Sequence, residues 1–241
     1  MKILAMDSTA RVATVAVAED THILSCYTVD SGLTQSELLL PMARHALECA
    51  HLGFSDIDLF ALTVGPGSFT GVRIGVSLVK GLCFGKSIPC APVSVLEAMA
   101  EGLCPLPGIY CPAMDARRGQ VYNALFCEQS GAPLRLTPDR AISIDELLAE
   151  ITDKYPHVPV AFVGDGASLV EARTQDYPAV ACMSVPAELR LPSAAAVARC
   201  GLRAAKRGEL VDDASLAPTY LRLPQAERER LAREQAQDNS K

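Results

Sequence analysis

The residues whose types and spacing could do chemistry fall in three places along the chain. Asp7 ends the apolar run Lys2 to Met6 and is followed by Ser8 and Thr9; Asp115 ends a second such run, Ile109 to Met114. The third place is the glycine-rich stretch Gly65-Pro66-Gly67-Ser68-Phe69-Thr70-Gly71-Val72-Arg73-Ile74-Gly75. An acid at a strand end can orient a metal-bound water or a phosphate, or it can cap a hairpin turn through backbone N–H groups. The glycines let a backbone or ligand come close, and a helix amino terminus favours anions. A phosphate or adenylate cradle and a tight strand-to-helix connection are therefore both open, although the spacing is not that of a P-loop and no Lys stands in its place. Asp7, Ser8, Gly65, Gly67, Ser68, Thr70 and Arg73 are the nucleotide-proximal candidates. A phosphotransferase also needs an acid and an adenosine-binding turn in the second half, places that Asp115 and Gly164-Asp165-Gly166 fill only approximately. Arg117 and Arg118 could meet a partner's acids or a phosphate, or form a solvated turn tip.

Metal chemistry finds little support. The four histidines, His22, His45, His51 and His157, show no pairing at metal-ligand spacing and are expected on the surface. The nine cysteines include no C-x-x-C pair, and Cys83, Cys90, Cys104, Cys111, Cys127 and Cys200, which sit among apolar neighbours, are expected to be buried, reduced thiols. The net charge of −6 argues against a protein whose main task is gripping phosphate backbones. The amino terminus reaches Asp7 too soon for a signal peptide, and no apolar run approaches the ~20 residues of a membrane span, so a cytoplasmic chain without membrane contact is expected.

The elements that must position these residues repeat. Lys2–Met6, Val12–Val17 and Ile23–Val29 read as strands, and the Ala-Met-Asp of residues 5–7 returns at 113–115, again followed by a strand, Val121–Phe126. Each half later runs a strand into a Gly-x-Gly turn, at Gly65 and at Gly164. Two strand-Asp-turn-strand units in the same order indicate two copies of one α/β lobe facing each other across a cleft. The boundary falls in Leu103 to Gly108, with Pro105 and Pro107. Residues 1–104 form the first lobe and 105–189 the smaller second one. A helix from Ser193 to Arg207, capped by Ser193 and stopped by Gly208, opens the segment 190–223 that packs back on the first lobe. Residues 224–241 are charged and poor in apolar side chains, and read as a frayed tail or exposed helix.

Two helices are unusually apolar. The segment Ser36–Ala50 carries Leu39, Ala43 and Ala46 on one stripe and Leu38 and Met42 on another, and Val72–Phe84 is apolar around most of its circumference. One lobe hides one face of each helix, so the other faces are covered by a partner or by the second lobe. The partner reading places Leu38, Leu39, Met42, Ala43, Ala46, Val72, Gly75, Val76, Val79 and Lys80 at an interface, which could also join two copies of the chain when it is alone.

The glycine stretch, the opening Ile3-Leu4-Ala5-Met6-Asp7-Ser8-Thr9, the run Asp115-Ala116-Arg117-Arg118-Gly119-Gln120-Val121-Tyr122, and Tyr220-Leu221-Arg222 resemble the TsaB family of bacterial tRNA threonylcarbamoyladenosine biosynthesis proteins. The resemblance covers residues 1–223. It implies a two-lobed α/β fold of the acetate kinase, sugar kinase, Hsp70 and actin type, each lobe a mixed sheet flanked by helices. It also implies a non-catalytic role as direct partner of the paralogue TsaD, which transfers threonylcarbamoyl to N6 of adenosine 37 in tRNAs reading codons that begin with A. The ATPase TsaE joins that complex, ATP or ADP can sit at its interface, and tRNA is met through the partner. The paralogue's two metal-binding His, four residues apart, fall here on Val95 and Met99, neither of which replaces an imidazole. The family often has His before the Ser that opens the first interface helix, where this chain has Gln35. Against this reading stand a stand-alone ATPase or phosphotransferase and a metallopeptidase.

Overall fold

In a computed structural model, which describes residues 1–222, the chain opens with a three-strand antiparallel meander, β1 (Lys2–Asp7), β2 (Ala13–Glu19) and β3 (His22–Val29). Two further strands, β4 (Leu59–Gly65) and β5 (Cys90–Ser94), continue the sheet parallel to β1 in the order β3-β2-β1-β4-β5. The helices α1 (Gln35–Cys49) and α2 (Phe69–Cys83) cover one face of it. Both helices start one to three residues earlier than the hydrophobic pattern suggests, because their caps lie upstream. Thr34 and Glu37 form a capping box before α1, and Ser68 Oγ accepts from the Gly71 N–H at the start of α2.

After α3 (Val95–Leu103), the second lobe repeats the plan. Strands β6 (Ile109–Asp115), β7 (Gln120–Asn123), β10 (Arg140–Ser143), β11 (Pro159–Val163) and β12 (Ala181–Cys182) take the order β10-β7-β6-β11-β12, with β11 parallel to β6 and β7 antiparallel to it. The one elaboration is a break in the meander. The single strand expected over 121–126 is split into β7 and β8 (Phe126–Gln129), and its neighbour into β9 (Ala132–Arg135) and β10. The break lies where the Leu125 N–H leaves the ladder for the Thr137 hydroxyl, 2.8 Å away. Helices α4 (Ile144–Lys154) and α5 (Ala167–Glu171) close this lobe's outer face. The same α/β plan, a meander continued by parallel strands, is thus present in both sheets.

Helix α6 (Ala194–Arg207) ends at Gly208, whose φ of 73° supplies the left-handed stop. Its Ala194, Val197 and Ala198 pack on Ile3, Ala5, Leu59 and Ala61, the face of the first sheet opposite α1 and α2. Although α3 precedes the expected lobe boundary, its Leu96, Met99 and Leu103 bury chiefly against Tyr110, Met114 and Phe126 of the second sheet. Between the lobes, buried Glu101 of α3 pairs with Arg199 and Arg203 of α6, each at 2.7 Å. Division by packing therefore differs from division by chain position. The expected tail, 224–241, lies outside the described residues. Among the described residues no helix is long and apolar enough to cross a membrane.

Candidate functional site: the cleft between the lobes

The turns that follow the two Ala-Met-Asp units meet at one cavity of about 440 Å³ between the lobes. Its first-lobe wall is Thr9, Ala10, Arg11, Gly67, Ser68 and Phe69; its second-lobe wall is Met114, Asp115, Ala116, Arg117, Tyr122 and Asp165. The two acids that the repeat equates behave alike in the backbone and differently in their surroundings. Asp7 Oδ1 accepts the Thr9 N–H at 3.0 Å, and Asp115 Oδ1 accepts the Arg117 N–H at 2.7 Å, the same turn two residues on. Asp115 faces the cavity, partly exposed and 3.4 Å from the Arg117 guanidinium. Asp7 has no exposed surface and does not line the cavity. Burial pushes its carboxyl up to about 6, opposed by the Thr63 hydroxyl and by the N–H and hydroxyl of Thr9. Of the two roles open to Asp7, turn capping is the one this geometry realises.

What seals Asp7 is the glycine stretch. A Cβ at Gly67, whose φ is 153°, would overlap the Thr9 carbonyl oxygen. On α2, a Cβ at Gly71 would overlap the Ser8 carbonyl, and one at Gly75 the Ser8 hydroxyl, which donates to the Gly71 carbonyl at 2.9 Å. The helix thus lies directly on the turn after β1, an approach that only glycine permits. This is the tight strand-to-helix connection. Of the seven nucleotide-proximal candidates, only Gly67 and Ser68 line the cavity. Ser8 is buried, Gly65 backs onto the Thr219 carbonyl, Thr70 is exposed, and exposed Arg73 donates to the Tyr220 hydroxyl at 2.8 Å.

The partner-face residues are corrected by burial. Leu39, Met42, Ala43, Ala46, Val72, Gly75, Val76 and Val79 are all buried, and the seven with side chains build the first lobe's own core with Leu4, Met6, Phe60 and Leu62. The argument from surplus apolar faces fails for them, because the first sheet and the packing of the two helices on each other cover these positions. Only Leu38 and Lys80 keep partial exposure, and Lys80 Nζ donates to the Ala214 carbonyl. The outward apolar residues are different ones: Ile74, Leu78 and Leu82, one helical stripe left half-buried, and Phe84 at the end of α2, 81% exposed.

Other expected positions fall as follows. Val95 and Met99 are core residues of α3. Gln35 is buried, its side-chain amide donating to the Ala10 and Arg11 carbonyls at 3.0 and 3.2 Å, so it ties the start of α1 to the turn after β1. All four histidines are exposed. Of the six cysteines expected inside, Cys83, Cys90, Cys111 and Cys200 are buried and Cys104 and Cys127 half-buried; Cys26, Cys49 and Cys182 are exposed.

The structure adds to what the sequence said of three cleft features. Asp165, raised by burial and then by the neighbouring Asp115, accepts the Asp115 N–H at 3.0 Å. Arg117, Arg118 and Gly119 all take positive φ, at 66°, 57° and 70°. For the two arginines that conformation costs ~1–2 kcal/mol each and thrusts the tip outward. The end segment crosses the cleft: the Thr219 N–H bonds the Val64 carbonyl at 2.7 Å, Tyr220 stacks on Phe69 with ring centroids 4.2 Å apart, and Arg222 donates to the Ala116 carbonyl at 2.9 Å. Tyr220-Leu221-Arg222 stood out in the sequence, but only the fold brings it to the cavity.

The family model described as TsaD, tRNA N6-adenosine threonylcarbamoyltransferase, matches residues 33–230. The tRNA threonylcarbamoyladenosine biosynthesis protein TsaB of Bacillus subtilis (strain 168) is 31% identical over 94% of this chain and 96% of its own length. The protein of that name from Escherichia coli (strain K12) is 36% identical over 52% of this chain and 55% of its own. Among solved structures, YeaZ from Pseudomonas aeruginosa is similar with a TM-score of 0.78 and 26% identity, over 91% of this chain and 99% of that one. With the repeated acid turns, the sealed glycine connection and this full-length similarity in hand, the chain belongs to the TsaB family, within the wider group that the TsaD model describes.

Proposed function

We propose that the chain is a partner subunit in the formation of threonylcarbamoyladenosine in tRNA, and that it supports a TsaD-type homologue without performing the transfer itself. The observation that carries the non-catalytic reading is the placement of Asp7. A carboxylate meant to hold a metal or align a phosphate must reach the cleft, whereas this one is spent on Thr9 beneath a glycine-packed helix. The cores of both lobes are ordinary and closed, which leaves surface contacts as the means of action. The face proposed for the homologue is the outward side of α2 with its flank on α1: Leu38, Ile74, Leu78, Lys80, Leu82 and exposed Phe84. Without that partner the same face would join two copies of the chain. A TsaE-type ATPase joins the assembly, and ATP or ADP sits at the shared interface.

Purified chain tests this directly. Added to its catalytic homologue, it is expected to restore threonylcarbamoyl transfer to tRNA reading codons that begin with A, while turning over no ATP alone. ATP hydrolysis by the isolated chain, abolished by changing Asp115, would replace this reading with a phosphotransferase acting from the second lobe.

A further inference from the structure

The mouth of the cleft gathers five arginines from four separate elements. Arg11 comes from the turn after β1 and Arg73 from α2, Arg117 and Arg118 from the turn after β6, and Arg222 from the end segment. Arg11 and Arg117 line the cavity, and Arg73 lies over Phe69, another lining residue, at 5.5 Å. Arg222 stands over the Tyr122 ring at 5.9 Å. Three acids answer them. Asp30 takes Arg11 through two bonds of 2.7 Å, Asp115 pairs with Arg117, and Asp165 is held by the Asp115 backbone. Arg73 spends its Nε on a tyrosine hydroxyl and Arg222 one nitrogen on a carbonyl, and neither is paired with an acid among the described residues. Arg118 is exposed at a left-handed turn position. The rim is therefore positive in a chain whose net charge is −6.

Resting on the proposed role in tRNA modification, we propose that this rim grips the sugar–phosphate backbone of the tRNA directly, so that the chain contributes RNA affinity of its own. Guanidinium forks match phosphate oxygens bidentately, which a scatter of lysines would not. Tyr220 adds a platform: Phe69 covers one side of its ring and Arg73 fixes its hydroxyl, yet it stays 39% exposed at the rim. A ring held rigid beside arginines suits a stacked base from a single-stranded segment. The acidic remainder repels the polyanion and confines contact to this one mouth. An acidic protein surface would use the charges but not the ring.

The test is anisotropy of a fluorescein-labelled tRNA transcript titrated with the chain alone and with the chain bound to its catalytic homologue, at several salt concentrations. Arg118→Ala and Arg222→Ala are each expected to lower the slope of log K against log salt by about 1 and to weaken binding roughly fivefold at 0.15 M salt. Arg118→Lys, which keeps the charge, restores most of that loss. Lys206→Ala, on the exposed end of α6, changes neither quantity. Identical slopes for wild type and both alanine variants would overturn the assignment. So would loss of co-elution with the homologue in Arg118→Ala at unchanged RNA affinity, which would make the rim a protein contact. If wild-type chain fails to co-elute with the homologue while the arginine-dependent salt slopes hold, the subunit reading fails and the rim stands.

Discussion

Replacing Asp7 by Asn isolates the cost of the sealed carboxylate. The group is wholly buried and titrates near 6 instead of its ordinary 3.8. Each tenfold change in proton affinity is worth about 1.4 kcal/mol, so keeping Asp7 ionised costs the folded state ~3 kcal/mol. The sign follows from linkage. With the folded value above the unfolded one, the favourable protonated form is fully present below about pH 4, and its contribution is lost as pH rises toward and through 6. Asp7→Asn keeps the shape and the acceptor for the Thr9 N–H, and its amide can donate to the Thr63 Oγ1 that faces the carboxyl. The variant should therefore match wild type near pH 4 and exceed it by ~3 kcal/mol at pH 7–8, roughly 6–12 °C in Tm. Urea unfolding of both proteins across pH 4–8 reads the difference, in which all other titrating groups cancel. A difference that stays flat with pH would refute the claim that Asp7 is sealed from solvent, and with it the main ground for a non-catalytic first lobe.

Further outcomes separate core from surface. Leu39→Asp and Val76→Asp bury an unpaired carboxylate in the first lobe's core and should cost several kcal/mol, read as loss of the cooperative unfolding transition. Leu78→Asp and Phe84→Asp, on the outward side of α2, should leave the Tm within a few degrees yet abolish co-elution with the catalytic homologue. Gly71→Ala gains about 1 kcal/mol of helix propensity but drives a methyl into the Ser8 carbonyl, so a net loss of ~1–3 kcal/mol is expected in thermal unfolding. Glu101→Ala leaves Arg199 and Arg203 facing each other without their acid. Because both arginines are about one-third exposed, the cost should be ~2 kcal/mol rather than that of a fully buried pair.

Much of this molecule can be read along the chain. The apolar strands ending at Asp7 and Asp115, the repeated Gly-x-Gly turns and the Ser193 to Gly208 helix are written in local patterns, since strand alternation, caps and left-handed stops depend on near neighbours. So the duplicated α/β plan was legible, but that α3, which precedes Leu103 to Gly108, packs chiefly on the second sheet was not. Nor was burial. Helical periodicity shows that Leu39 and Val76 are apolar, but whether a sheet or a partner covers them depends on how wide that sheet is, a property set by strands far away in sequence. The same holds for the two equivalent acids. Asp7 and Asp115 share a strand ending and a turn, and only the packing of α2 on Ser8 makes one a sealed cap while the other faces the cavity. The arginine mouth is tertiary throughout, since residues 11, 73, 117, 118 and 222 meet only when the two lobes close on each other and the end segment crosses between them.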